Sequence, residues 1–135
     1  MSGNHHPPVV QGIPNALTID VEDYYHVAAF EPVVRFEDWA RYESRVERNT
    51  RVILDLLAVA DVKATFFVLG WVAERHPDVV KAIHDEGHEV ASHGYRHRRL
   101  HTMSPTAFRD DTLRAKHILE DLCGAPVVGY RAASY

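Results

Sequence analysis

The sequence predicts an α/β fold built from parallel βαβ units, and three observations carry that prediction. Short apolar, β-branched or aromatic runs recur along the chain. Amphipathic stretches with helical spacing separate them. Gly, Pro and Ser residues punctuate the joins. The first run, Ala16-Leu17-Thr18-Ile19-Asp20-Val21, is a strand that turns abruptly acidic and aromatic at Glu22-Asp23-Tyr24-Tyr25-His26. Residues 27–44, with Pro32 and the aromatics Phe30, Phe36, Trp39 and Tyr42, form a loop with one short helix. Residues 45–60 are helical, with Val46, Ile53, Leu54, Leu57 and Val59 as the apolar stripe and Glu47, Arg48, Arg51 and Asp55 facing out.

The run Ala64-Thr65-Phe66-Phe67-Val68-Leu69 is nearly continuous, as in a strand buried on both faces, and Gly70 ends it. Residues 71–86 return to helical spacing through Val72, Val79, Val80 and Ile83, with Pro77 as a break or helix start and Gly87 as a C-cap. His88-Glu89-Val90-Ala91-Ser92 is a short third strand. Ser104 as N-cap and Pro105 at the first helical position open a helix that runs to Cys123 on Phe108, Leu113, Ile118, Leu119 and Leu122, and Gly124 caps it. Val127-Val128-Gly129-Tyr130 is a fourth strand. Strands alternating with helices imply right-handed crossovers and a parallel sheet. Four such strands form either an open sheet or the front half of a larger barrel, and an open last strand invites self-association. Residues 1–14 are a flexible leader, and residues 15–135 make one domain.

Composition narrows the function classes. The chain has 135 residues with 46% hydrophobic and 25% charged, which is globular. A formal net charge of -4 gives no basic excess for a nucleic-acid partner. No apolar run is long enough to span a bilayer, and the polar, Pro-rich start has no signal-peptide pattern, so a cytoplasmic location is expected. The lone Cys123 provides neither an internal disulfide nor a thiolate zinc cage. Histidine, at 10 residues, is the biased count.

In βα architectures the active groups sit at the C-terminal ends of strands. Here the first strand ends in Asp20, Glu22 and Asp23, the third in His93 and His97, and the fourth in Arg131. Two imidazoles and a carboxylate are a ligand set for a catalytic divalent metal, and a second carboxylate beside it can take a proton from water. The bland alternatives are solvated surface histidines and acidic residues that cap a helix. His101 continues the spacing of four, so spacing alone does not choose the ligand pair. His88 reads as a packing or hydrogen-bonding residue, and His26 as a packing residue or a lining of the substrate groove. Phe36, Trp39 and Tyr42 read as sugar-stacking aromatics or as a satellite core.

Three ordered motifs resemble the polysaccharide deacetylases of carbohydrate esterase family 4, with the nodulation-type deacetylase homology domain. Thr18-Ile19-Asp20-Val21-Glu22-Asp23 resembles the family's first motif, Gly87-His88-Glu89-Val90-Ala91-Ser92-His93-Gly94-Tyr95-Arg96-His97 its second, and Gly129-Tyr130-Arg131-Ala132-Ala133-Ser134 its third. Ala64–Gly70 looks like the family's buried second strand, and D-V-E-D-Y-Y-H is closest to the subgroup found with exopolysaccharide and exosortase gene clusters. The resemblance implies parallel βαβ units forming the first half of a distorted (β/α)7-type barrel, the glycoside hydrolase/deacetylase fold, truncated after the fourth strand. It implies Asp20 as catalytic base, Arg131 as the arginine that orients it, and His93 and His97 as metal ligands. The third ligand is Glu22 or Asp23: Val21 fills the family's usual slot, and strand alternation favours Glu22. Tyr24 and the main chain near Tyr135 are expected at the substrate, and Ala133 stands where the family often has Pro. The implied reaction is hydrolysis of N-acetyl groups on an N-acetylated glycan with a divalent metal, Zn2+ foremost. An allantoinase-like amide hydrolase and a non-catalytic metal-binding fragment needing a partner are the alternatives.

Overall fold

The structure is a computed structural model, and it describes residues 14–134; the leader expected at 1–14 lies outside the described residues except for Pro14. Three short strands, β1 (Thr18–Val21), β2 (Thr65–Val68) and β3 (Glu89–Ser92), form a parallel sheet in the order β1-β2-β3. The register aligns Asp20 with Phe67 and Phe67 with Ala91. Four α-helices lie between and after the strands: α1 (Val46–Ala60), α2 (Gly70–Arg75), α3 (Pro77–Asp85) and α4 (Pro105–Cys123).

The helix boundaries follow the local chemistry. Ser104 accepts a hydrogen bond from the Ala107 N–H at 3.1 Å, Pro105 needs no donor there, and Gly124 closes α4 at φ +63°. Pro77 does both things its position allows: it ends the register of α2 and opens α3. The connection from β1 to α1 holds three 3-10 turns, Tyr24–His26, Ala28–Phe30 and Phe36–Arg41, where a single short helix was expected. A fourth 3-10 turn, Leu100–Thr102, precedes α4.

Phe66, Val68, Leu69, Val72, Val80, Ile83 and Leu119 are wholly buried between sheet and helices. Each such side chain contributes about 1.5–3 kcal/mol relative to exposure. The aromatics of the β1–α1 connection form the satellite core: Trp39 and Tyr25 are buried, and Tyr42 stacks on Tyr25 at 5.2 Å. His88 is also buried, its Nδ1 accepting from the Ala64 N–H at 3.2 Å.

Three expectations are corrected. Val59 does not join the α1 stripe and is 89% exposed; it stands two residues from buried Leu57, which on a helix is nearly the opposite face. β2 is not buried on both faces, because Phe66 and Val68 are enclosed while Thr65 and Phe67 are half-buried. The segment 127–130 is not a strand, and the expected open fourth strand is absent among the described residues. It makes one parallel bridge, Ser92 to Tyr130, with the Ser92 N–H donating to the Gly129 carbonyl at 2.8 Å and the Arg131 N–H to the Ser92 carbonyl at 2.9 Å. Pro126 has no N–H to extend the pairing. The close approach is confined to Gly129, where a Cβ would stand 2.8 Å from that of Ala91. With a second bridge from Arg99 to Ala133, the Ser92–Tyr130 bridge holds Arg131 at the rim of the sheet.

Candidate metal centre

Thr18, Asp20 and Glu22 alternate along β1 and its exit, so the three side chains share one side. Arg131 reaches across to them. Its Nη1 donates to Asp20 Oδ1 at 2.7 Å, its Nη2 donates to Thr18 Oγ1 at 2.7 Å, and its guanidinium lies 4.1 Å from the centre of the Phe67 ring. Phe67 occupies the neighbouring register position on β2, so its half-buried side supplies the surface on which the arginine rests.

The second motif leaves β3 as a tight loop, not a helix. The His93 N–H donates to the Val68 carbonyl at 3.0 Å, Gly94 takes φ +76°, and His97 takes φ +53°. The loop is fastened to α2, whose first N–H groups are otherwise unpaired: Gly70 N–H donates to the Gly94 carbonyl at 2.9 Å and Trp71 N–H to the Tyr95 carbonyl at 3.2 Å. Tyr95 N–H in turn donates to Asp111 Oδ2 on α4 at 2.8 Å.

His93 and His97 consequently face the carboxylates. His93 Nε2 stands 3.9 Å from Asp20 Oδ2 and 3.9 Å from Glu22 Oε2, and His97 Nε2 stands 2.9 Å from Glu22 Oε2. Ligand atoms of Glu22, His93 and His97 all lie within 4.8 Å of one another. His93 Nδ1 is 2.9 Å from the Arg131 carbonyl. A carbonyl only accepts, so Nδ1 carries the proton and Nε2 presents its lone pair to the carboxylates. Burial holds the His93 pKa below the usual imidazole value, against the opposing pull of Asp20 and Glu22, which keeps the ring neutral as a ligand must be.

The donor set fits a divalent cation. Glu22 Oε2 and His97 Nδ1 are buried without a hydrogen-bond partner, and the close Glu22–His97 approach lacks hydrogen-bond alignment. An enclosed carboxylate oxygen with no proton donor, beside two imidazole nitrogens, is costly unless a cation satisfies it.

Of the two candidate third ligands, only Glu22 joins the cluster. Asp23 is not in the cluster. Its carboxylate accepts from Ser44 Oγ at 2.7 Å, from the Arg45 N–H at 2.9 Å and from the Val46 N–H at 3.4 Å, which caps α1. The next residue after a strand position points to the opposite side, and that side is where α1 begins. Tyr24 is exposed and packs under the Arg45 guanidinium at 5.0 Å. Tyr135 lies outside the described residues. His101 sits exposed in the 3-10 turn at 100–102. Thr18 and Phe67, the two supports of Arg131, were not singled out from sequence. The i, i+2 relation of Thr18 to Asp20 was the signal available for the first; none existed for the second.

Comparison with known proteins gives the family and the fold. The profile of the family described as polysaccharide deacetylase matches residues 33–134. A peptidoglycan-N-acetylglucosamine deacetylase of Bacillus cereus is 41% identical over 75 residues, 56% of this chain and 27% of that protein. A chitooligosaccharide deacetylase of a Bradyrhizobium species is 32% identical over 83 residues, 62% of this chain and 38% of that protein. The chain thus spans between about a quarter and two fifths of these relatives. Among solved structures, a family 4 carbohydrate esterase pseudoenzyme from Bacillus anthracis superposes with a TM-score of 0.66 at 26% identity, covering 87% of this chain and 34% of that one. The parallel βα units are therefore similar to a fragment of the family's (β/α) barrel, and the chain belongs to the polysaccharide deacetylase family.

Proposed function

We propose that this chain carries the metal centre and the catalytic base of a metal-dependent hydrolase that removes N-acetyl groups from an N-acetylated polysaccharide. The observation that carries the reading is Asp20, clamped by Arg131 at 2.7 Å, facing a neutral His93 3.9 Å away within a Glu22–His93–His97 triad. The deacetylase activities named for the two relatives support the same reaction class, and the D-V-E-D-Y-Y-H motif supports an exopolysaccharide as the glycan.

Glu22, His93 and His97 would hold the ion, and two imidazoles with a carboxylate suit zinc. When bound, it supplies Lewis acidity to an amide carbonyl and acidifies water. Asp20 takes the proton from the attacking water through the oxygen that Arg131 leaves free. Arg131 fixes that carboxylate through Oδ1 and is itself fixed by Thr18 and Phe67, so the base needs no reorganisation as the proton moves.

Metal titration and acetate release test the reading together. Wild type is expected to bind one divalent ion; Glu22→Gln and His93→Ala weaken binding at least tenfold. Asp20→Asn retains the ion and loses about 10²–10⁴ in acetate release from N-acetylated oligosaccharide. Unchanged turnover in Asp20→Asn, or unchanged ion affinity in His93→Ala, overturns the assignment. Turnover of allantoin in place of the glycan moves the activity to another amide on the same centre.

A further inference from the structure

A cavity of about 310 Å3 opens next to the triad, with His97 lining it on the triad side. Its size falls at the lower end for small-molecule sites. Trp39 and Phe36 give it an apolar part, and Arg35, Arg96 and Arg98 give it a cationic one. Arg96 and Arg98 flank His97 in the chain, so the loop that presents the imidazole to the triad also brings two guanidinium groups to the cavity. Arg35 arrives independently, from the β1–α1 connection.

Several guanidinium groups of the molecule pair with carboxylates: Arg99 with Glu31, Arg41 with Asp38, Arg114 with Glu74 and Arg131 with Asp20. Arg48 on α1 and Arg109 on α4 have no such partner among the described residues, but neither lines the cavity. Among the described residues, none of Arg35, Arg96 and Arg98 has a carboxylate within 4.0 Å. Arg96 lies over the Phe36 ring at 4.1 Å, which immobilises the planar group and leaves its N–H edge free for a forked contact. Two carboxylates also line the cavity. Glu31 is neutralised by Arg99, so Glu37 alone opposes three cations. The cavity is a net positive recess beside a centre whose two imidazoles are buried and whose carboxylate is half-buried.

We propose that this cavity is a subsite for an anionic sugar residue, a unit bearing a carboxylate or phosphate that neighbours the N-acetylated unit in the glycan. The inference rests on the deacetylase reading and narrows its substrate class to acidic polysaccharides. The anion is held by forked hydrogen bonds from the arginines, and the ring lies against the Phe36 and Trp39 side.

Calorimetric titration of the metal-loaded protein with three matched probes tests it: neutral tri-N-acetylchitotriose, an N-acetylated trisaccharide carrying one glucuronate, and one carrying a sugar phosphate. At least one acidic probe is expected to bind about tenfold more tightly than the neutral one at low salt, with the margin shrinking as salt rises. Whichever acidic probe gains identifies the carboxylate or the phosphate as the recognised group. Arg35→Gln and Arg98→Gln each reduce the margin several-fold, while Glu37→Gln widens it. A neutral probe that binds as tightly as both acidic ones, or a margin that survives both arginine substitutions, overturns the subsite and leaves the deacetylase reading standing. Failure of all three oligosaccharides to bind overturns both.

Discussion

Two adjacent acidic residues, Glu22 and Asp23, end on different tasks. Alternation puts Glu22 with Thr18 and Asp20, and puts Asp23 on the side where α1 starts. The sequence made Glu22 the favoured ligand for this reason. It offered helix capping as the general alternative for these acidic residues but could not assign it to Asp23, because the groups Asp23 binds, Ser44 Oγ and the Arg45 and Val46 N–H groups, lie more than twenty positions away. Asp23→Ala strips the start of α1 of its acceptor and is expected to cost about 2 kcal/mol in denaturant unfolding, with ion affinity essentially retained. Glu22→Gln is expected to do the reverse. A stable Asp23→Ala protein that had lost its metal would exchange the two roles.

At the scale of elements, the strand–helix alternation was legible because short apolar runs alternate with amphipathic stretches, and Pro or Gly marks a boundary of α2, α3 and α4. The segment at 127–130 misled, since Val127-Val128-Gly129-Tyr130 has a strand's composition but pairs only through one bridge. Composition reports what a backbone tolerates, whereas pairing needs donors in register, and Pro126 supplies none. Gly70 was read as the end of a strand; it is also the contact between three elements. A Cβ there would stand 2.7 Å from Tyr95 Cδ2 and 3.0 Å from the Ala115 Cα, on the loop that carries the two histidines and on α4. The ring can shift, but the α4 backbone yields less readily. Gly70→Ala is therefore expected to destabilise by about 1–3 kcal/mol and to weaken ion binding, because the displaced Tyr95 pulls on the loop between His93 and His97. Equal affinity for the ion in wild type and Gly70→Ala would show that the loop keeps its shape without that contact.

Across the whole molecule, the β1–α1 connection is fixed to α2 by an aromatic knot with an imidazole at its centre. His26 is buried among Tyr25 and Trp39, each 4.4 Å away between ring centres, and Trp71 at 5.1 Å. Its Nδ1 accepts the Asp23 N–H at 2.8 Å, so the neutral ring links the knot to the exit of β1. Burial, partly opposed by Asp23, drives its pKa down to about 3. The unfolded chain takes up that proton near the ordinary value of 6.5 while the folded chain refuses it, so the unfolded state binds more protons throughout the interval. Folding stability is then complete above pH 6.5 and falls as pH drops toward 3. His26 alone accounts for about 2–3 kcal/mol between pH 6.5 and 4.5. Urea unfolding of the metal-free protein across that range measures the slope. His26→Gln is less stable at neutral pH but is expected to show a flatter profile, and since His88 and His93 are present in both proteins their shares cancel in the difference. Parallel profiles for the two proteins would mean that the imidazole is already solvated in the folded chain, and that the knot holds the β1 exit without excluding water from it.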